Sequence, residues 1–274
     1  MAHWIAIGLL ALAPQLAAAQ ASVSLRVDDA AGTGVLSGEY RLFRNPQWAV
    51  SANGALERPA PAATSLAQGL RANYGFQFGQ RAATLSLSYG LRRDWLGNSG
   101  LDTGQSGSID LGWQLTPAAG IGLFGTLRRM NFDQDGVAAR LDSQDGAAHQ
   151  AGIRGMLAFD YRRQTVQGSL SYVENDAEGA NFVSRGAVAT LQYTHLLARR
   201  WSLVAGADYA RTRYTEFAAD PARASELQGC RFALQGPLLR RLTASVAYAL
   251  NVQTWNQDPL VKQESVLLSL SYAL

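Results

Sequence analysis

Arg26, Glu39, Arg41, Glu57, Arg71, Arg92, Asp110, Arg154, Asp160, Asp208 and Arg231 recur on one phase of an alternating pattern, interspersed with Ser, Gly and Gln. Left unpaired, guanidinium and carboxylate groups cannot be buried, because desolvation costs more than packing returns. Their shared face is therefore either hydrated or cross-linked by ion pairs. Catalytic sets are harder to assemble. A Ser–His pair oriented by a carboxylate is the usual hydrolytic arrangement, and His149 and His195 are the histidines beyond the first few residues. His195 shares the phase of Leu191 and Tyr193 and reads as an interfacial side chain. His149 sits beside Gln150 at a strand end, without a nucleophile motif. No catalytic residue is expected, and the chain does not read as an enzyme.

Metal and cofactor chemistry find no better footing. The run from Asp133 through Asp145 is acidic, yet lacks the spacing and terminal Glu of a calcium loop, so it reads as solvated. Cys230 is the single cysteine, which rules out an intramolecular disulfide or a thiolate cluster and leaves a small apolar strand residue. No metal or cofactor is expected. The net charge of +3 is carried almost wholly by arginine, Lys262 being the one lysine. These basic residues are scattered over many segments instead of forming a stripe, so a nucleic-acid partner is not expected.

The elements that would carry these residues are strands. From Ala21 on, about 14 segments have the length a tilted bilayer crossing needs, ~9–11 residues. In 81–95, Ala83, Leu85, Leu87, Tyr89 and Leu91 oppose Thr84, Ser86, Ser88, Gly90 and Arg92. In 105–116, Ile109, Leu111, Trp113 and Leu115 oppose Ser108, Asp110, Gly112 and Gln114, and 242–255 behaves likewise. The N-terminal segments 22–28, 34–44, 47–58 and 65–78 are shorter or noisier, and 120–132 is ambiguous, because Phe124, Met130 and Phe132 share a phase with Gly122 and Arg128. Connections alternate as well. Tight ones at 45–46, 79–80, 117–118, 162–163, 199–200 and 240–241 alternate with longer, acidic ones at 96–103, 133–147, 174–182, 216–224 and 256–262. The fold class expected is all-β: one antiparallel, up-and-down transmembrane barrel over 21–274, with a polar lumen lined by the charged residues named first. Mean hydropathy near zero agrees, because lipid-facing and lumen-facing residues average out. A soluble sandwich would need a packed interior, and one face here is too polar for that.

Both ends of the sequence point to export. Ile5–Leu16 is an apolar run followed by Ala17-Ala18-Ala19, the pattern of a secretory signal, so residues 1–20 are expected to be a signal peptide. The last alternation, Val266, Leu268, Leu270, Tyr272 and Leu274, resembles the closing strand of bacterial outer-membrane β-barrels. That resemblance implies a Gram-negative outer-membrane location and an assembly signal at Leu268, Leu270, Tyr272 and Leu274, read by the barrel-assembly machinery. Arg93, Arg129, Arg211 and Arg213 fall at outer strand ends on or near the apolar phase, where guanidinium groups would meet lipopolysaccharide phosphates.

A narrower resemblance lies in the last hairpin. Tyr248-Ala249-Leu250-Asn251, then Asn256-Gln257-Asp258-Pro259-Leu260, then Leu268-Ser269-Leu270-Ser271-Tyr272, is similar to the barrel of surface lipoprotein assembly modifiers (Slam). Arg211-Thr212-Arg213-Tyr214-Thr215-Glu216 is similar too. The resemblance implies export of surface lipoproteins through a 14-stranded barrel, here without the family's helical-repeat periplasmic domain. Three functions stay open: an export conduit of this kind, a passive small-solute porin, and a structural or adhesion barrel without an open pore. Charges of both signs argue against strong ion selectivity, and the cargo is not legible.

Overall fold

The computed structural model describes residues 21–28, 33–44, 47–60, 63–78, 81–96, 99–132, 145–197, 200–216, 223–239, 241–256 and 258–273. The expected signal peptide, Leu274 and most of the acidic 133–147 stretch lie outside them. Fourteen strands follow in chain order. They are β1 (Ala21–Asp28), β2 (Thr33–Arg44), β3 (Trp48–Ala60), β4 (Ala63–Phe78), β5 (Arg81–Leu96), β6 (Ser99–Thr116) and β7 (Ala119–Phe132). The second half comprises β8 (Gly146–Phe159), β9 (Gln164–Ala177), β10 (Ser184–Leu196), β11 (Ser202–Tyr214), β12 (Ala224–Leu239), β13 (Leu242–Trp255) and β14 (Asp258–Ala273). Each strand pairs antiparallel with its sequence neighbours, and β1 pairs with β14 from Ser22↔Ala273 to Asp28↔Leu267, closing the barrel. Closure matters physically, since an open edge would leave backbone N–H and C=O groups unsatisfied in lipid.

The register fixes two faces. Leu70 lies opposite Tyr89, Leu87 opposite Ile109, Leu111 opposite Leu123, and Phe232 opposite Tyr248, and the row continues to Val266. These positions form a continuous apolar exterior; Leu87, Ile109, Ile153, Leu191 and Leu268 are all well exposed. At the end with the short turns, Trp201 lies over Gly236 on this outer face. Tyr193 and His195 share a hydrogen bond of 3.3 Å there and stack at 6.4 Å, as an interfacial aromatic girdle would. A small apolar row crosses the inner face: Val204 packs against Ala233, Ala247 and Leu267 on consecutive strands β11–β14, and Ala247 is 1% exposed.

The strand ends depart from the expected connections in two places. The stretch 96–103 is not an extended loop: β5 runs to Leu96 and β6 begins at Ser99. Likewise 256–262 shrinks to the two residues between Trp255 and Asp258. Both hairpins extend past the apolar zone, where the ladder persists while the alternation that marks a membrane strand fades. Register shifts at Asp94/Trp95 and Gln253/Trp255 blur the pattern further. The turn after β8 is a single 3-10 turn over Asp160–Arg162, with φ of 47°, 51° and 69° at its three residues. Arg162 ties it to the neighbouring turn by donating to the Pro117 carbonyl at 3.0 Å.

Candidate functional site

The inner face is the candidate site. Glu39, Arg71, Arg92, Asp110, Arg154, Asp208 and Arg231 all occupy the phase opposite the apolar exterior, since Arg71 pairs with Ser88, Asp110 with Ser86, and Arg231 with Gly206. Arg26, Arg41 and Glu57 hold backbone positions of the same phase in β1, β2 and β3. Asp160 does not belong with them. The strand stops at Phe159, and Asp160 opens the exposed turn at the barrel end, so it is not part of the wall.

One charged pair spans three strands. Arg154 on β8 donates through Nη2 to Asp110 on β6, crossing β7 at Gly122. A Cβ at Gly122 would sit 2.8 Å from Arg154 Nε and 2.9 Å from the Leu111 carbonyl oxygen, so only glycine leaves that path clear. Elsewhere the wall is held by neutral contacts. Ser88 and Ser108 hydroxyls meet at 2.6 Å, Ser169 and Thr190 at 2.6 Å, and Ser86 donates to Asn73 Oδ1 at 2.6 Å.

A cavity of about 460 Å³ opens on this wall between β2 and β7, with Glu39, Arg71, Arg92 and Arg128 among its lining residues. Arg128 was not assignable from the sequence. The register settles it: Leu127 faces outward opposite His149, while Arg128 lies opposite Ser106 on the inner face. Phe124 and Met130 also point inward, which is why the local alternation misleads. The signal that resolves it is non-local, namely the pairing of Leu123 with Leu111 and Ile121 with Trp113.

At the rim with the longer connections, Tyr214 and Trp255 stack at 5.8 Å, and the Arg223 guanidinium lies 4.3 Å from the Trp255 ring centre. On the outer side of that rim, Arg93, Arg129, Arg211 and Arg213 occupy the outward phase. Arg211 pairs with Glu226 at 3.4 Å, and Arg185, which the sequence did not single out, pairs with Glu174 at 3.3 Å. Leu268, Leu270 and Tyr272 face outward on β14, opposite Val27, Leu25 and Val23. Among the described residues, no three His, Cys, Asp or Glu side chains converge as metal ligands would.

These features define the fold of the bacterial outer-membrane β-barrels: a closed antiparallel sheet, apolar outside and polar inside. Solved structures agree on the fold. The chain is similar to a bacterial polysaccharide outer membrane secretin at 12% identity, over 93% of this chain and 97% of that one, with a TM-score of 0.54. It is also similar to the CymD monoaromatic hydrocarbon channel, at 10% identity, 93% and 87% coverage and a TM-score of 0.55. A third is OmpT, an outer membrane protein of Vibrio cholerae, at 9% identity, 93% and 96% coverage and a TM-score of 0.54. No family model and no curated protein sequence matches.

Proposed function

We propose that this barrel is a passive, water-filled pore for small polar solutes across the outer membrane, without catalytic activity. The observation that carries the reading is the inner face: charged and small polar side chains cover it, and Arg154–Asp110 is the inward ion pair made between described residues. Fourteen strands spaced about 4.8 Å apart and tilted about 40° give a backbone radius of roughly 14 Å. Side chains reaching inward by about 6 Å leave a bore wide enough for water and small solutes. Solute passage is preferred to Slam-like lipoprotein export because, in the Asn256–Leu260 stretch behind that resemblance, Asp258–Leu260 belong to β14 and not to a loop. A structural barrel locked by salt bridges would need more cross-links than the one that Arg154–Asp110 makes between described residues of this wall.

Planar-bilayer recordings of the refolded protein test the reading. Steady, voltage-independent conductance is expected from the wild type, with little change in Asp110→Ala. Conductance only after Asp110→Ala would mean a latched barrel, and silence in both would refute the pore.

The outward rim supports a second contact. With the longer connections facing the medium, Arg93, Arg129, Arg211 and Arg213 would meet lipopolysaccharide phosphates, and guanidinium binds phosphate in bidentate fashion. The double variant Arg211→Ala/Arg213→Ala is expected to lose most co-purifying lipopolysaccharide, read by lipid A content per barrel. Unchanged content would remove the proposal. The outward row Leu268, Leu270 and Tyr272, with Leu274, would be the surface read by the barrel-assembly machinery.

A further inference from the structure

We propose that Arg71, Arg92 and Arg128 form an anion-binding station inside the lumen, suited to solutes that carry two or more carboxylate or phosphate groups. The inference rests on the pore reading for its physiological meaning, but the site itself can be tested without conductance. Among the described residues, three arginines and one carboxylate, Glu39, line the same cavity of about 460 Å³. Register places them at successive inward levels of β5: Arg71 opposite Ser88, Arg128 level with Gly90 through Ser106, and Arg92 two residues further. At about 3.3 Å of rise per residue, each step is roughly 6.6 Å, a spacing that one solute with separated anionic groups can bridge.

Two features separate this cluster from ordinary structural charge. Arg71 and Arg128 are exposed to the lumen, and neither makes an ion pair or hydrogen bond with another described residue. Arg154, by contrast, is committed to Asp110. The far wall offers no net compensation: across the bore, β13 and β14 carry no inward charge, and on β11 and β12 the carboxylate of Asp208 and the guanidinium of Arg231 sum to zero. The positive potential on the β4–β7 wall is therefore not cancelled across the bore, and low-dielectric walls concentrate such a field on whatever passes. Guanidinium groups hold carboxylate and phosphate through paired N–H donors, while Glu39, Ser51 and Asn53 beside them can bind hydroxyl or amide groups of the same solute.

Citrate and inorganic tripolyphosphate are the probes. In a potassium chloride gradient across a planar bilayer, the wild type should pass chloride in preference to potassium, and citrate should block the current. Arg71→Gln/Arg128→Gln should abolish the preference and weaken citrate block by about tenfold or more, the loss of one charge-assisted contact or more. Glu39→Gln should strengthen both, and Arg241→Gln in a turn should change neither. Heat-modifiable gel mobility verifies that each variant is folded. Conductance without anion preference or citrate block would overturn the station while leaving the pore standing. If the barrel does not conduct, calorimetric titration of citrate into the detergent-refolded protein decides: binding lost in the double glutamine variant supports the station, and no binding by the wild type overturns it.

Discussion

Arginine at Leu191 should destabilise the barrel in lipid by about 2–4 kcal/mol, the cost of a cation on the lipid face near the bilayer midplane. Arginine at the adjacent Gln192 should cost less than about 0.5 kcal/mol, as for a hydrated surface position. Both residues lie near the middle of β10, and they differ only in face: Leu191 pairs with Ala207 on the apolar exterior, where it is 55% exposed, and Gln192 pairs with Gly206 in the lumen. Urea unfolding of the refolded protein in phosphatidylcholine vesicles gives both values. Equal losses would mean that the two faces are not lipid and water, and the membrane barrel would have to be abandoned.

Gly152→Leu should be comparably damaging, for a different reason. A Cβ at Gly152 would meet the Leu170 carbonyl oxygen at 2.5 Å, Ser171 Cβ at 2.6 Å and the Phe124 ring at 2.7 Å. Phe124 on β7 lies directly opposite Gly152 on β8, and its ring covers the glycine on the inner wall. Beside it Ser171 is buried and accepts a hydrogen bond from Gln150 Nε2 at 2.9 Å. A leucine there must displace both an aromatic ring and sheet backbone, which in packed sites costs typically about 1–3 kcal/mol and at times more. The smaller Gly152→Ala should be partly rescued by Phe124→Ala, since removing the ring clears one of the three obstacles. A double-mutant cycle with no coupling would show that the ring does not cover this glycine.

How much was legible depends on whether the deciding interaction is local. Alternation over Arg81–Leu91 or Ile109–Leu115 is a property of a strand facing two solvents, so strand number, faces and most inward charges could be read directly. Local pattern fails where both faces meet water or where a large residue points inward. Asp160 followed the inward phase on paper, but the chain leaves the sheet one residue earlier through a turn with three positive φ angles. The hairpins around 96–103 and 256–262 looked like loops because, beyond the lipid, nothing demands an apolar side. Arg128 and Arg129 are adjacent and chemically identical; only pairing with β6 assigns one to the lumen and the other to the outer rim.

Composition and period two by themselves determined that this chain is a barrel with an apolar exterior and a charged interior, because lipid and water impose opposite demands on successive residues. Charge pairing was decided by the tertiary structure. The sequence offers charges of both signs and suggests a pore indifferent to ion type. Strand register then joins Arg154 to Asp110 across Gly122 and gathers Arg71, Arg92 and Arg128 around one cavity beside Glu39. Which charges cancel depends on distances of a few ångströms between residues up to dozens of positions apart, and Coulomb attraction acts on those distances, not on order along the chain.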